Sequence, residues 1–390
     1  MTETVLRHDP TFSATTPARA ALRRITVRDF RNLEHIDLDP PAEGFALLGD
    51  NGQGKTNLLE ALYYLALLRS FRGAHDAELV RFGAPGFHVA GEMEESRARE
   101  ITIGFQRAGK RKKIVIDGGV PPRFSDALGA LPVVIFSPRD LELVAGSPSE
   151  RRRFLDVVLS LTSRRYLSAL QRYRGALAQR NAALRAPGAK PGDPRIAVWE
   201  PVLAESGALL WNERHRWHAE HAVRYIELCG SIGERGTAAM TLSGGLVRHS
   251  VPMGDAERHL AGELEKLRGT ELSRGATLAG PHRDDVCLLL DGHDLRTYGS
   301  AGQQRTAAIA LRLLEAATLR VHAGAEPVVL LDDPFAELDL RRAGRILELL
   351  GTEGRGQTIL AVPREQDIPA GLTRLRRWRI VAGSLAADRS

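Results

Sequence analysis

Gly49-Asp50-Asn51-Gly52-Gln53-Gly54-Lys55-Thr56 is the stretch around which this 390-residue chain is read. Four residues separate Gly49 from Gly54, and Lys and Thr follow, which is the spacing of a P-loop. An apolar run, Phe45 to Leu48, leads in as a buried strand, and Asn57 to Leu68 leads out as a helix. Glycines let the backbone turn tightly enough for successive N–H groups to converge on phosphate oxygens. Lys55 is expected to reach the terminal phosphates and Thr56 to hold Mg²⁺, while the helix presents the positive end of its dipole to the same anion. Lysine is scarce here, and arginine carries nearly all the positive charge. A lysine at this one position suits a site that takes a compact ammonium.

Working outward, the length suits two domains or lobes. No stretch reaches the ~20 uncharged apolar residues of a membrane-spanning helix, so no membrane partner is expected. Met1 to Ala20 is polar, carries Pro10 and Pro17, and has no apolar segment of the secretory kind; residues 1–20 are expected to be a disordered tail. Two distant cysteines, Cys229 and Cys287, suit a reducing cytoplasm and form no metal-ligand cluster. A net charge of +6 and a pI near 9.6 favour a polyanionic partner.

Leu22 to Leu33 and Glu34 to Leu38 read as paired strands ahead of the P-loop, and Phe87 to Gln106 holds two more alternating runs. Lys110-Arg111-Lys112-Lys113 leads into the apolar Ile114 to Ile116, a hairpin-like element with a basic tip. Arg72, after the P-loop helix, either faces the nucleotide or caps the helix. Leu131 to Phe136 is another buried strand, broken at Ser137-Pro138. From Pro148 the pattern turns helical, and Ile196 to Arg224 is helical again, predicting two antiparallel helices in a separate lobe. Nine arginines against two acids between Glu150 and Arg185 give a local net charge of +7, above that of the whole chain. Such a face suits phosphate contact. The DNA-contact candidates are therefore Lys110, Arg111, Lys112, Lys113, Arg151, Arg152, Arg153, Arg172 and Arg180.

Leu242-Ser243-Gly244-Gly245 has the letters of an ABC-type signature, but Leu246 to His249 reads on as strand rather than as a helix. Ser300-Ala301-Gly302-Gln303-Gln304 is the better candidate, because it heads a long helical run from Arg305 to Val321. Val328 to Leu331 followed by Asp332-Asp333 reads as a buried strand ending at carboxylates, the Walker B arrangement. Asp332 is expected to hold Mg²⁺ and Asp333 to polarise the attacking water. Glu337-Leu338-Asp339 falls where a D-loop lies. Thr358 to Val362 is one more core strand, and Arg374 to Ala382 closes the sheet.

These residues resemble the RecF family of bacterial recombination and repair ATPases, within the ABC/SMC-like superfamily. The resemblance runs over about residues 22–382 and is most specific at Gly280-Pro281-His282-Arg283-Asp284-Asp285 and Leu330 to Asp339. Asp29 to Leu33, Asn51 to Glu60, Ser70 to Arg72, Arg151 to Asp156 and Gln179 to Asn181 add to it. It implies an α/β fold: a two-lobed ABC-type, SMC-like ATPase head with no long coiled coil. Lobe I is expected from residues 21–145 and 271–390, and a helical lobe II from 146–270. The resemblance further implies ATP and Mg²⁺ as cofactors, an ATP-dependent homodimer with Ser300 and Gly302 acting in trans, and slow hydrolysis with Asp333 and Lys55 as catalytic groups. It also implies single-stranded, gapped and duplex DNA as partners, and RecO and RecR as helpers in loading RecA and supporting the SOS response.

Two features depart from transporter ATPases: Asp333 stands where they carry Glu, and Val362-Pro363-Arg364 stands where they carry a switch His. The 245 residues from Lys55 to Ser300 are also too many for that class. A coiled-coil tether is disfavoured because ~30 helical residues reach only about 45 Å.

Overall fold

The computed structural model describes residues 18–94, 98–244, 253–334, 340–353 and 356–386. In chain order, β1 (Ala18–Arg19), β2 (Ala21–Phe30), β3 (Leu33–Leu38) and β4 (Gly44–Leu48) lead to α1 (Lys55–Leu67) and the short α2 (Asp76–Leu79). Strands β5 (Gly86–Glu94), β6 (Glu100–Gln106), β7 (Arg111–Ile116) and β8 (Val133–Phe136) follow, then the turn α3 (Glu142–Ala145). A second lobe holds α4 (Pro148–Thr162), α5 (Arg164–Leu184), α6 (Pro194–Ala197), α7 (Glu200–Ile232), β9 (Ala238–Ser243), α8 (Met253–Arg274), β10 (Asp285–Leu290), β11 (His293–Asp294) and α9 (Leu295–Tyr298). The chain returns through α10 (Ala301–Ala323), β12 (Ala325–Glu326), β13 (Val328–Asp332), α11 (Leu340–Glu353), β14 (Thr358–Val362), β15 (Arg376–Val381) and β16 (Ser384–Ala386).

Lobe I is two sheets with a helix between them. One sheet runs β16-β15-β4-β14-β13-β8, parallel except for the β16 edge. Its three central strands, Gly44–Leu48, Val328–Asp332 and Thr358–Val362, are almost continuously apolar and buried, as parallel strands covered on both faces must be. The other sheet, β3-β2-β5-β6-β7, is antiparallel, and β5 and β6 alternate buried and partly exposed residues. Helix α1 is buried on nearly every side, including Leu58, Leu62 and Leu65, because it packs against strands of both sheets. Gly44 sits at φ 101°, where a Cβ would lie 1.8 Å from the Thr358 carbonyl oxygen, so the close pairing of β4 with β14 requires glycine there.

The second lobe is richer than the helical pair expected from sequence. Helix α7 runs on to Ile232, at 33 residues about 50 Å long. It packs against α5, α8, β9 and α10 and projects no free arm. Strand β10 pairs with β9, so residues 285–290 belong with lobe II. The expected boundary at 270 instead falls inside α8. The expectation of a tail through residue 20 is also corrected: Ala18–Arg19 pairs in parallel with Ala325–Glu326, and the Ala20 N–H donates to the Glu326 carbonyl at 3.1 Å. Leu242 and Ser243 lie in β9, while Leu246 to His249, expected as strand, and the Glu337-Leu338-Asp339 stretch lie outside the described residues.

Candidate functional site

The C-terminal ends of β4 and β13 bring the P-loop and the two acids together, though 276 positions separate them in sequence. At Gly49 a Cβ would lie 2.5 Å from the Ile380 carbonyl oxygen, and Gly52 and Gly54 take φ of 81° and 118°. Gly54 caps α1 without a side chain, leaving the first N–H groups of the helix turned to the cleft. The Thr56 hydroxyl donates to Asp332 Oδ1 at 2.8 Å. A hydroxyl beside a carboxylate is a hard oxygen pair of the kind that holds Mg²⁺.

Lys55 is nearly buried, and its ammonium donates to the carbonyls of Gly49 and Asp50. Burial pulls its pKa below the usual lysine value, against the opposing pull of Asp332, Asp333 and Asp50. Burial raises the Asp332 carboxyl; the Thr56 bond opposes that rise and neighbouring Asp333 adds to it. Asp333 is likewise raised by burial and then by Asp367. Its N–H donates to Ala361 O at 3.0 Å and its φ is 45°, a left-handed conformation that Asp tolerates, which turns the chain out of the strand at the cleft.

Asn51, Gly52, Gly54, Lys55, Thr56, Asp332 and Asp333 all line this cleft. Gln53 faces elsewhere: its side-chain carbonyl accepts from the Ala382 N–H at 2.6 Å and its backbone carbonyl from Gly383 at 2.8 Å, tying the loop to the β15–β16 turn. Asp50 is exposed. Arg72 does face the cleft, donating to Asn57 Oδ1 at 3.0 Å and pairing with buried Glu60 at 3.4 Å. Pro363 lines it where a transporter would carry its switch His.

A supporting layer was not singled out from sequence. Arg31 grips Glu60 through two hydrogen bonds of 3.0 and 2.9 Å, and Asn32 bridges Asn57 at 2.8 Å and the Gly52 carbonyl at 3.4 Å. The sequence signal for it is the resemblance over Asp29 to Leu33 and Asn51 to Glu60, which assigns these residues no role. Ser300 caps α10 reciprocally with Gln303 (3.3 and 2.8 Å), is exposed, and is not among the residues lining the P-loop cleft of its own chain. Gly302 lends its carbonyl to Arg342 at 3.1 Å.

The basic candidates divide sharply. Arg180 is fully buried among Glu200 at 2.9 Å, Glu271 at 2.7 Å and the Thr277 hydroxyl. Arg151 is 4% exposed and clamps Asp285 through bonds of 2.7 and 2.8 Å. Both were expected at DNA; both instead hold the fold, because a buried guanidinium needs paired carboxylates and has no reach to a phosphate. Arg152 is half-buried on the Asp284 carbonyl at 2.6 Å. Lys112, also expected at DNA, turns inward over the Tyr64 ring, 3.3 Å from Asp76 and bonded to Leu68 O. Arg172 is exposed and paired with Glu205. Lys110, Arg111 and Lys113 are exposed, and Arg153 is half-buried between the lobes.

The Gly280 to Asp285 stretch is the hub that receives Arg151 at Asp285 and Arg152 at the Asp284 carbonyl. His282 bonds the Tyr173 hydroxyl at 2.6 Å and the Thr277 carbonyl at 3.0 Å, and Asp284 accepts from Trp211 and Arg214, both at 2.9 Å. Burial lowers the His282 pKa to about 4, so the ring is neutral at physiological pH.

A P-loop and a paired-acid strand end in a mostly parallel sheet, with an α-helical second lobe and a serine-capped helix returning from it, define an ATPase head of the ABC/SMC type. A family model described as the RecF/RecN/SMC N terminal domain matches residues 21–371. The DNA replication and repair protein RecF of Salinibacter ruber is 37% identical over 88% of this chain and 85% of its own length. That of Roseiflexus castenholzii is 37% identical over 93% and 98%. A solved structure titled as the recombination mediator protein RecF with ATP in the RecFOR pathway superposes with a TM-score of 0.85 at 30% identity, covering 96% of this chain and 99% of that one. An Smc head bound to a domain of ScpA shares the fold, at a TM-score of 0.52 and 14% identity. The chain belongs to the RecF family of DNA replication and repair proteins.

Proposed function

We propose that this chain is an ATP-switched DNA-binding mediator of recombinational repair and replication, in which hydrolysis resets a protein clamp. The observation that carries the reading is the contact between Thr56 and Asp332, with Asp333 beside it and Lys55 across from it. These residues fit Mg-ATP: hard oxygen donors, an ammonium, Gly52 and Gly54 at φ of 81° and 118°, and a Gly49 whose Cβ would lie 2.5 Å from the Ile380 carbonyl oxygen. When bound, the nucleotide supplies the phosphoanhydride that is cleaved. Lys55 holds the terminal phosphates, Thr56 and Asp332 hold the cation, and Asp333 orients water. The shorter Asp side chain, compared with Glu, suits slow turnover.

Ser300, exposed and outside its own cleft, is free to meet the cleft of a second copy. The reading therefore includes an ATP-dependent homodimer that binds single-stranded, gapped and duplex DNA. In it the chain works with RecO and RecR to load RecA and supports SOS induction, in the cytoplasm. Exposed Lys110, Arg111, Lys113 and Arg172 and the seam residue Arg153 remain the DNA-contact candidates.

The decisive experiment is fluorescence-anisotropy binding to a gapped duplex with Mg-ATP, with Mg-ADP and without nucleotide. Binding should tighten only with ATP. Equal binding in all three states would leave a basic protein that adheres to DNA. Ser300→Arg should leave ATP affinity unchanged while weakening the ATP-dependent dimer at least about tenfold, through steric blocking and loss of the cap. A dimer that persists with ATP in light-scattering chromatography sinks the trans role.

A further inference from the structure

A second polar cleft lies in the seam between the lobes, next to the nucleotide cleft and sharing Arg72 with it. It encloses about 190 Å³, ample for one phosphate group. Three of its arginines are satisfied internally. Arg312 is held by Asp140 at 2.7 Å and Glu315 at 2.6 Å, Arg139 lies 3.7 Å from Glu142, and Arg72 is bound to Asn57 and Glu60.

Arg69 and Arg153 differ. Neither makes a hydrogen bond or ion pair among the described residues. Arg69 follows α1 in lobe I and Arg153 stands on α4 in lobe II, so the pair bridges the seam. Burial lowers the pKa of Arg69; Tyr63 and Asp156 oppose that shift, while the like charges of Arg153 and Arg174 add to it. The guanidinium still stays charged. Two partly buried cations with no carboxylate in ion-pair contact among the described residues are costly unless an anion completes them. Arginine's planar fork matches phosphate oxygens in particular. Glu150, on the first turn of α4, also lines the cleft and opposes an anion there.

We propose that the seam is a phosphate-binding site, distinct from the nucleotide cleft, with Arg69 and Arg153 as its ligating side chains. Two sources carry that chemistry: a backbone phosphate of DNA, and free phosphate beside the neighbouring cleft. Unpaired charge carries the site whether or not ATP gates the clamp; only the DNA source rests on the proposed function.

The test uses the full chain with saturating Mg-ADP, so that the P-loop is filled. Inorganic phosphate is titrated by calorimetry, and gapped-duplex binding is followed by anisotropy against salt. The Arg69→Gln/Arg153→Gln double variant should lose inorganic phosphate at least about tenfold, and Glu150→Gln should tighten it about threefold. If DNA is the source, the double variant also lowers the salt slope by up to about two units, and phosphate competes with the duplex. If free phosphate is the source, the duplex slope stays unchanged while phosphate binding falls. Because neither arginine holds a partner, the double variant should melt no lower than the wild type. Unchanged binding of both ligands in a folded double variant overturns the site. Should the double variant not fold, Glu150→Gln decides alone, since unchanged phosphate binding in that variant rejects the proposal.

Discussion

Arg180→Ala is expected to lower the unfolding free energy by about 3–5 kcal/mol, the usual cost of removing one partner from a buried ion pair. Arg180 and Glu271 are both 0% exposed, and Glu200 is 6% exposed. One guanidinium on α5 thus ties together α7, through Glu200, and α8, through Glu271. It also donates to the Thr277 hydroxyl at 2.9 Å, anchoring the approach to the Gly280 to Asp285 hub. Without it Glu271 keeps its hydrogen bond from the Leu278 N–H but loses its cation in a dry interior. Glu200 fares better, because Arg268 also holds it.

Urea unfolding followed by tryptophan fluorescence suits the measurement. Trp199, Trp211 and Trp217 sit at or within α7, and only Trp378 reports on lobe I. The midpoint should fall steeply, while DNA affinity per folded molecule stays unchanged. An unaltered midpoint with weakened DNA binding would return Arg180 to the DNA surface. Replacing Arg180 and Glu271 together by Met and Leu should recover much of the loss, because no charge is then left uncompensated.

The contrast between Lys55 and Arg180 shows what a sequence discloses. The nucleotide cleft was legible because each of its parts is local. An apolar run becomes a parallel strand, glycines permit the turn, and a helix follows; Asp332 ends a second such run. Only their meeting is long-range, and parallel strand ends bring it about. The arginines of residues 150–185 gave the opposite result. Their local excess was correctly counted, yet the acids that neutralise Arg180, Glu200 and Glu271, lie 20 and 91 residues downstream, and Asp285 lies 134 residues from Arg151. Charge counted in a window cannot see partners outside it.

Lys112 departs from the expectation for another reason. In strand β7 alternate residues face opposite ways, so a run of four basic residues is not one basic face. Helix α8 went unnoticed because its residues are largely polar, and its buried stripe is thin: Ala256, Leu260, Leu264.

Lys55→Met is expected to weaken Mg-ATP and Mg-ADP binding by at least about 100-fold, close to 2.7 kcal/mol, with the fold retained. Lys55 is 8% exposed and, among the described residues, its ammonium bonds only to P-loop carbonyls, with Asp332 and Asp333 near enough to act on its pKa. Its burial is unfavourable in itself, which is why its pKa is pulled down. A straight apolar side chain of similar length fills the space without that penalty, so thermal stability should hold or rise. Phosphate oxygens, by contrast, lose the one cation aimed at them from within the loop. Asp332 and Asp333 lose a compensating charge as well, so their carboxyls shift further upward and cation binding should demand a higher pH. Calorimetry with each nucleotide, beside a melting curve, separates the cases. Lost affinity with an unchanged melt identifies Lys55 as a phosphate ligand. Intact affinity would mean that the loop is no phosphate cradle, and a collapsed melt would make Lys55 a structural strut of the P-loop turn.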